Sequence, residues 1–127
     1  MSTMTTDVQI IQMQDFIKAT PEGQLDRENM TKLFKEIAST SATSGEYQII
    51  LDTRKAKSEM TDSDLWFLAA ELSNLGKAFS RKTACICPRE RFDRVGFFAL
   101  CAQNRGFLVR PFTSFEDAIE WLMKKGS

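Results

Sequence analysis

The sequence has no histidine, which removes the usual general base at neutral pH and the commonest zinc ligand. It also has no excess charge of either sign, because 17 basic side chains balance 17 acidic ones. A neutral chain offers no overall field to hold a nucleic-acid backbone or an anionic membrane surface. The sequence therefore argues against histidine-dependent triads, nucleic-acid partners and membrane partners.

Long apolar runs are also missing, and none approaches the ~20 residues of a membrane span. Residues 1–6 lack the basic and apolar regions of a secretory signal and are expected to form a flexible tail. The three cysteines of such a chain also argue against a structural disulfide framework. These absences predict a cytoplasmic protein.

Phosphate-binding glycine loops are missing as well. The six glycines do not form a Walker or dinucleotide pattern at any predicted turn from strand to helix. We therefore expect no nucleotide, no other cofactor, no metal and no catalytic residue.

The composition is that of an ordinary globular domain. The chain has 127 residues, of which 43% are apolar and 27% charged, and this length suits one domain over residues 1–127.

Apolar periodicity and turn residues predict alternating strands and helices. Two strands, Val8–Met13 and Phe16–Thr20, precede a turn at Pro21–Gly23, a helix capped by Asp26, and a polar loop at Ser39–Gly45. The next elements are a strand at Tyr47–Leu51, a helix capped reciprocally by Thr61 and Asp64, a strand at Thr83–Cys87, a helix at Asp93–Asn104, a strand at Phe107–Phe112, and a helix capped by Ser114. This order predicts an α/β fold with a single mixed, mostly parallel sheet and about four helices.

The residues Gly23–Asp26 and Phe112–Leu122, together with this order of elements, resemble the STAS family in its SpoIIAA-like branch. The resemblance spans nearly the whole chain from about Val8 onward. It implies a SpoIIAA-like fold and binding of a protein partner or small ligand rather than catalysis.

The same resemblance draws attention to the start of the second helix, where antagonist members carry a phosphorylatable serine. Alignment on Asp62 puts Asp64 at the acceptor position, while a shifted register puts Ser63 there. A carboxylate does not accept a phosphoryl group as a hydroxyl does. The alternative is that Thr61, Ser63 and Asp64 cap the helix, which these residue types favour.

Polar residues follow the predicted strands at their carboxyl ends, where ligands of open α/β sheets bind. The candidate ligand or partner site consists of Asp52, Arg54, Ser63, Asp64, Arg89 and Arg91. The alternative is that Asp52 pairs with a nearby arginine and that the remaining charges solvate loops. Cys85 and Cys87 are expected to pack in the core.

The predicted third helix has two apolar stripes, and only one can face the sheet. Phe97, Leu100 and Cys101 form the second stripe, which predicts a partner surface, most simply a symmetric homodimer. The alternative is that Trp121 of the last helix covers Phe97 and Leu100.

We therefore expect a non-catalytic regulatory or protein-interaction module. The second hypothesis is a carrier or sensor of a small apolar or anionic ligand, similar to SEC14 domains, with some of the ten phenylalanines lining a cavity.

Overall fold

The computed structural model describes residues 4–11, 16–44 and 47–124. These residues form six strands: β1 (Met4–Ile11), β2 (Phe16–Leu25), β3 (Gln48–Asp52), β4 (Ala56–Ser58), β5 (Thr83–Ile86) and β6 (Val109–Phe112). They also form four α-helices: α1 (Arg27–Ser44), α2 (Asp62–Glu71), α3 (Phe92–Gln103) and α4 (Phe115–Met123). Short 3-10 turns at Leu72–Asn74 and Arg89–Arg91 follow α2 and precede α3.

The strands form one sheet in the order β1-β2-β3-β5-β6, with β4 pairing with β2. β1 runs antiparallel to β2, and the other pairings are parallel. This arrangement confirms the prediction of a mixed, mostly parallel sheet with four helices.

β2 is longer than the sequence predicted, because the expected turn at Pro21–Gly23 is part of the strand. Residues 20–22 fall between the pairing of β2 with β3 at Phe16–Ala19 and its pairing with β4 at Gly23–Leu25. Pro21 has no N–H to donate to a neighbouring strand. It is tolerated here because residues 20–22 pair with neither β3 nor β4.

The first strand also differs from its prediction. β1 begins at Met4, so residues 4–6, which were expected in a flexible tail, pair with residues 21–23. The predicted end at Met13 lies outside the described residues.

α1 begins where the sequence predicted but ends later. Asp26 caps it, since its Oδ1 accepts a hydrogen bond from the backbone N–H of Asn29 at 2.8 Å. The predicted loop at Ser39–Gly45 is wrong for residues 39–44, which are helical, and Gly45 lies outside the described residues. The hydroxyl of Thr40 donates to the carbonyl of Glu36 at 3.0 Å, so this polar residue is accommodated within the helix.

The helices divide between the two faces of the sheet, as strand alternation requires. Ile49, Leu51 and Cys85 face α1, α2 and α3, and the shared core includes Leu33, Phe34, Leu68, Phe98 and Ala102. Ile50, Ala84 and Ile86 face α4 and pack with Ala118, Trp121 and Leu122. Successive side chains of a strand point to opposite faces of the sheet. A residue at the carboxyl end of a strand therefore lies on the same face as the residue two positions before it.

Candidate functional site

Asp52 and Arg54, at the carboxyl end of β3, form a close ion pair. Nε of Arg54 donates to Oδ1 of Asp52 at 3.0 Å, and Nη2 donates to Oδ2 at 2.8 Å. The backbone N–H of Arg54 adds a bond to Oδ1 at 3.1 Å. The carboxylate of Asp52 is buried, while the side chain of Arg54 is 42% exposed.

Opposing effects act on the carboxyl of Asp52. Burial raises its pKa, but the hydrogen bonds and charge of Arg54, together with the charge of Lys18, outweigh burial and hold the pKa below its usual value. Asp52 is therefore held in its charged form by a local structural partner, which is the pairing that the sequence offered as the alternative to a site.

Asp52 and Arg54 belong to the α4 face of the sheet. Asp52 follows Ile50 by two residues in β3, so its side chain points to the same face as Ile50, which packs against α4. The charge of Glu116 in α4 also acts on Arg54. Arg91 instead lies on the opposite face. Its Nη2 donates to the carbonyl of Thr53 at 2.7 Å and its Nη1 donates to the carbonyl of Ala56 at 3.1 Å.

The predicted cluster is consequently divided between two faces. Arg54 pairs locally with Asp52, Arg91 holds the backbone of the segment 53–56, and Arg89 is exposed on the turn before α3. Asp52, the last residue of β3, points to the α4 face and takes Arg54 with it, whereas Arg91 lies on the opposite face.

Sequence reasoning missed Arg94, which joins the start of α3 to the start of α2. Its Nη1 lies 2.9 Å from Oδ1 of Asp62, and its Nη2 donates to the carbonyl of Met60. The available signal was the spacing of Arg91 and Arg94 by three residues, which puts both on one side of a helix. Together these arginines hold residues 53–62 against α3.

The first turn of α2 has the reciprocal cap that the sequence predicted. Asp64 N–H donates to the hydroxyl of Thr61 at 3.1 Å, and Thr61 N–H donates to Oδ2 of Asp64 at 3.0 Å. The bond from the backbone of Thr61 is the main cause that lowers the pKa of Asp64. Ser63 lies between them and is exposed.

A cavity of about 300 Å³ opens between the carboxyl ends of the strands and helices α1, α2 and α3. Its walls are mostly apolar and include Leu25, Met30, Phe34, Leu65, Leu68 and Phe98. Two of the ten phenylalanines thus line a cavity between sheet and helices, where the ligand hypothesis expected one.

Cys85 and Cys87 are buried, as predicted for packed thiols. Burial, with a smaller contribution from Cys87, raises the pKa of Cys85 to about 12. Burial also raises the pKa of Cys87. A thiol that stays protonated is a poor nucleophile, so neither cysteine is activated for covalent chemistry.

The outward side of α3 exposes part of the predicted second stripe. Leu100 is 54% exposed and Phe97 is 36% exposed. Cys101 instead packs half-buried against the core. Trp121 lies in the core on the opposite face of the sheet, so the alternative in which it covers Phe97 and Leu100 is wrong.

Trp66 of the neighbouring helix α2 is also exposed, and it was not among the predicted interface residues. Its side chain is 54% exposed, and the guanidinium carbon of Arg105 lies 5.1 Å from the centroid of its ring. We call Trp66, Phe97, Leu100 and Arg105 the outer helical face.

Two negative findings concern the described part of the chain. Residues 4–11, 16–44 and 47–124 contain no group of three or more Cys, Asp or Glu side chains arranged to hold a metal ion. In the same ranges, no helix combines the length and the apolar character that crossing a membrane requires.

Two solved structures share this fold over nearly the whole chain. An anti-sigma factor antagonist from Mycobacterium paratuberculosis aligns with a TM-score of 0.64 and 18% identity, over 96% of each chain. An uncharacterized protein of the DUF3478 family with a SpoIIAA-like fold, from Shewanella loihica, aligns with a TM-score of 0.60 and 19% identity. That alignment covers 96% of this chain and 95% of the other.

These likenesses confirm the SpoIIAA-like fold that the sequence predicted. At such identities they establish the fold and not the activity. No protein-family model matches the sequence, and no curated protein matches it either.

Proposed function

We propose that this chain is a non-catalytic regulatory module that acts by binding another protein. The observation that carries the proposal is the outer helical face, in which Trp66, Phe97 and Leu100 expose apolar surface on two adjacent helices. Trp and Arg are among the residue types enriched at the energetic centres of protein interfaces, and here the guanidinium of Arg105 lies against the ring of Trp66.

The charged groups near the strand ends are consistent with this role. Asp52 is engaged by Arg54, Asp64 by the backbone of Thr61, and Arg91 by two backbone carbonyls. Each of these contacts holds a charged side chain on a neighbouring group of the chain itself. A general base or nucleophile instead needs to face a substrate position with a matched partner.

The fold neighbour described as an anti-sigma factor antagonist supports the same class of function. An antagonist of a protein factor works through protein binding. The transfer of this role to the present chain is our proposal, since the shared identity is 18%.

A second copy of the chain is the partner that we propose for the outer helical face. A symmetric dimer buries the same apolar patch on both subunits and needs no further chain.

Sedimentation velocity over a range of concentrations tests the dimer. Wild-type protein is expected to associate as concentration rises, and Leu100→Glu is expected to sediment as a folded monomer. Met123→Glu is the matched control, because Met123 is equally exposed but lies on α4. Wild-type protein that stays monomeric at high micromolar concentration would contradict the proposed partner.

The second candidate function is a carrier or sensor of a small ligand. The cavity of about 300 Å³ specifically favours it, because its size and apolar walls are those of small-molecule pockets. Calorimetric titration with small amphiphiles tests this function, which is compatible with protein binding at a separate surface.

A further inference from the structure

The cavity between the sheet and helices α1 to α3 is open to solvent on one side, with a mostly apolar interior and charged residues at its mouth. Aliphatic and aromatic side chains form its depth, including Met30, Phe34 and Leu68. Glu59, Glu90, Arg91 and Arg94 lie along its edge. Such a cavity selects a ligand with an apolar body and one polar end.

The volume limits the length of that body. By comparison with an apolar cavity of about 150 Å³ that binds benzene, with its six carbon atoms, a cavity of this size holds roughly ten to twelve non-hydrogen atoms. A long-chain lipid exceeds this limit. An eight-carbon chain with a two-oxygen headgroup matches it.

The two arginines at the mouth differ in how their charge is compensated. Arg94 is paired with the carboxylate of Asp62, at 2.9 Å. Arg91 donates to the carbonyls of Thr53 and Ala56, which are neutral acceptors. Its charge is therefore fixed in position but not neutralised by these bonds.

The geometry of Arg91 leaves capacity for a further acceptor. Its hydrogen bonds to Thr53 and Ala56 come from Nη1 and Nη2, whereas a guanidinium carries five N–H groups in all. Arg91 is half-buried, while the carboxylates Glu59 and Glu90 are exposed and screened by water. Arg91 is thus the charge best placed to interact with a headgroup from a desolvated position.

We propose that this cavity binds a medium-chain carboxylic acid, with the alkyl chain among Phe34, Leu68 and Phe98 and the carboxylate at Arg91. The proposal rests on the second candidate function and gives it a ligand class. Because Arg91 also holds residues 53–56, ligand binding at Arg91 is coupled to the segment that leads into α2.

Calorimetry with octanoate and 1-octanol distinguishes the contribution of the charged headgroup to binding from that of the apolar chain. Wild-type protein is expected to bind octanoate at least tenfold more tightly than octanol. Arg91→Met is expected to weaken octanoate binding at least tenfold and to remove the preference for octanoate over octanol. Arg89→Met, which removes the same charge from the same turn outside the cavity, is the matched control and keeps the preference for octanoate.

A cavity-filling variant locates the ligand and remains informative if Arg91→Met loosens the fold. Val95 lines the cavity from α3, so Val95→Phe is expected to abolish binding of both compounds. Circular dichroism and thermal melting check that the variant is folded. Binding that survives in folded Val95→Phe would place the ligand elsewhere and overturn the proposal.

Two other outcomes would show whether only the proposed ligand class fails or the carrier function fails with it. Equal binding of octanol and octanoate, with no effect of Arg91→Met, would overturn the acidic headgroup while leaving the carrier function standing. No binding of either compound by wild-type protein would overturn both.

Discussion

The guanidinium of Arg54 closes on the carboxylate of Asp52 with two side-by-side hydrogen bonds, at 3.0 and 2.8 Å. This pair stands at the carboxyl end of β3, where a catalytic or ligand-binding carboxylate is often found in open α/β sheets. Its contacts hold Asp52 charged and stationary. They make the pair a structural feature of the α4 face.

Asp52→Asn is expected to lower the free energy of unfolding at pH 7 by about 1–3 kcal/mol. The partial exposure of Arg54 keeps this loss at the low end of that range. Because the folded pKa of Asp52 is depressed, the stabilisation is present above about pH 4 and is lost as the pH falls through the folded pKa. Urea unfolding at pH 7 and at pH 3 measures both effects.

Glu36→Gln, which removes an exposed carboxylate from α1, is the control for that experiment. The difference between wild type and Asp52→Asn should shrink at low pH. A difference that is the same at both pH values would show that charge on Asp52 is not its source.

The capping box at α2 makes a separate prediction. Thr61→Ala is expected to cost about 1 kcal/mol, because the N–H of Asp64 loses its acceptor. Ser63→Ala should change stability by less than about 0.5 kcal/mol, since Ser63 is an exposed surface position. Chemical denaturation measures the free energy of unfolding of both variants. An equal loss of stability in Thr61→Ala and Ser63→Ala would contradict the assignment of the cap to Thr61.

Lys82, the residue before β5, stabilises the end of α4. Its Nζ donates to the carbonyls of Trp121 and Lys124, at 2.8 and 2.7 Å. Lys82→Met is expected to cost about 1–3 kcal/mol, because it removes a charged donor from two carbonyls at a helix end. Exposed Lys77→Met is the control.

Hydrogen exchange gives a local readout for the Lys82 prediction. Amides in the last turn of α4 should exchange faster in Lys82→Met and at the wild-type rate in Lys77→Met. Unchanged exchange in α4 would contradict a capping role for Lys82.

Features that depend on residues close together in the sequence could be predicted from it. Asp26, Thr61 and Ser114 all cap the helices assigned to them, because a cap needs only a side chain and an N–H three residues later. The length of β2 was not predictable in this way. Its second half is held by β1 and β4, and such pairings are not encoded by local pattern.

The candidate site shows the same limit. Asp52 and Arg54 are two residues apart, so their pairing could be anticipated as an alternative. The contacts of Arg91 with Thr53 and of Arg94 with Asp62 join segments more than 30 residues apart. The cavity likewise depends on how three helices meet the sheet, which the sequence does not express at any single position.

Native mass spectrometry of freshly purified wild-type protein and Phe97→Glu tests most directly whether the outer helical face binds protein. Wild-type protein is predicted to give a dimer at high micromolar concentration. Phe97→Glu is predicted to give a folded monomer with nearly unchanged intrinsic stability, because Phe97 is over a third exposed in the isolated chain. A wild-type spectrum of bare monomer at every concentration, or an unfolded Phe97→Glu variant, would contradict the account.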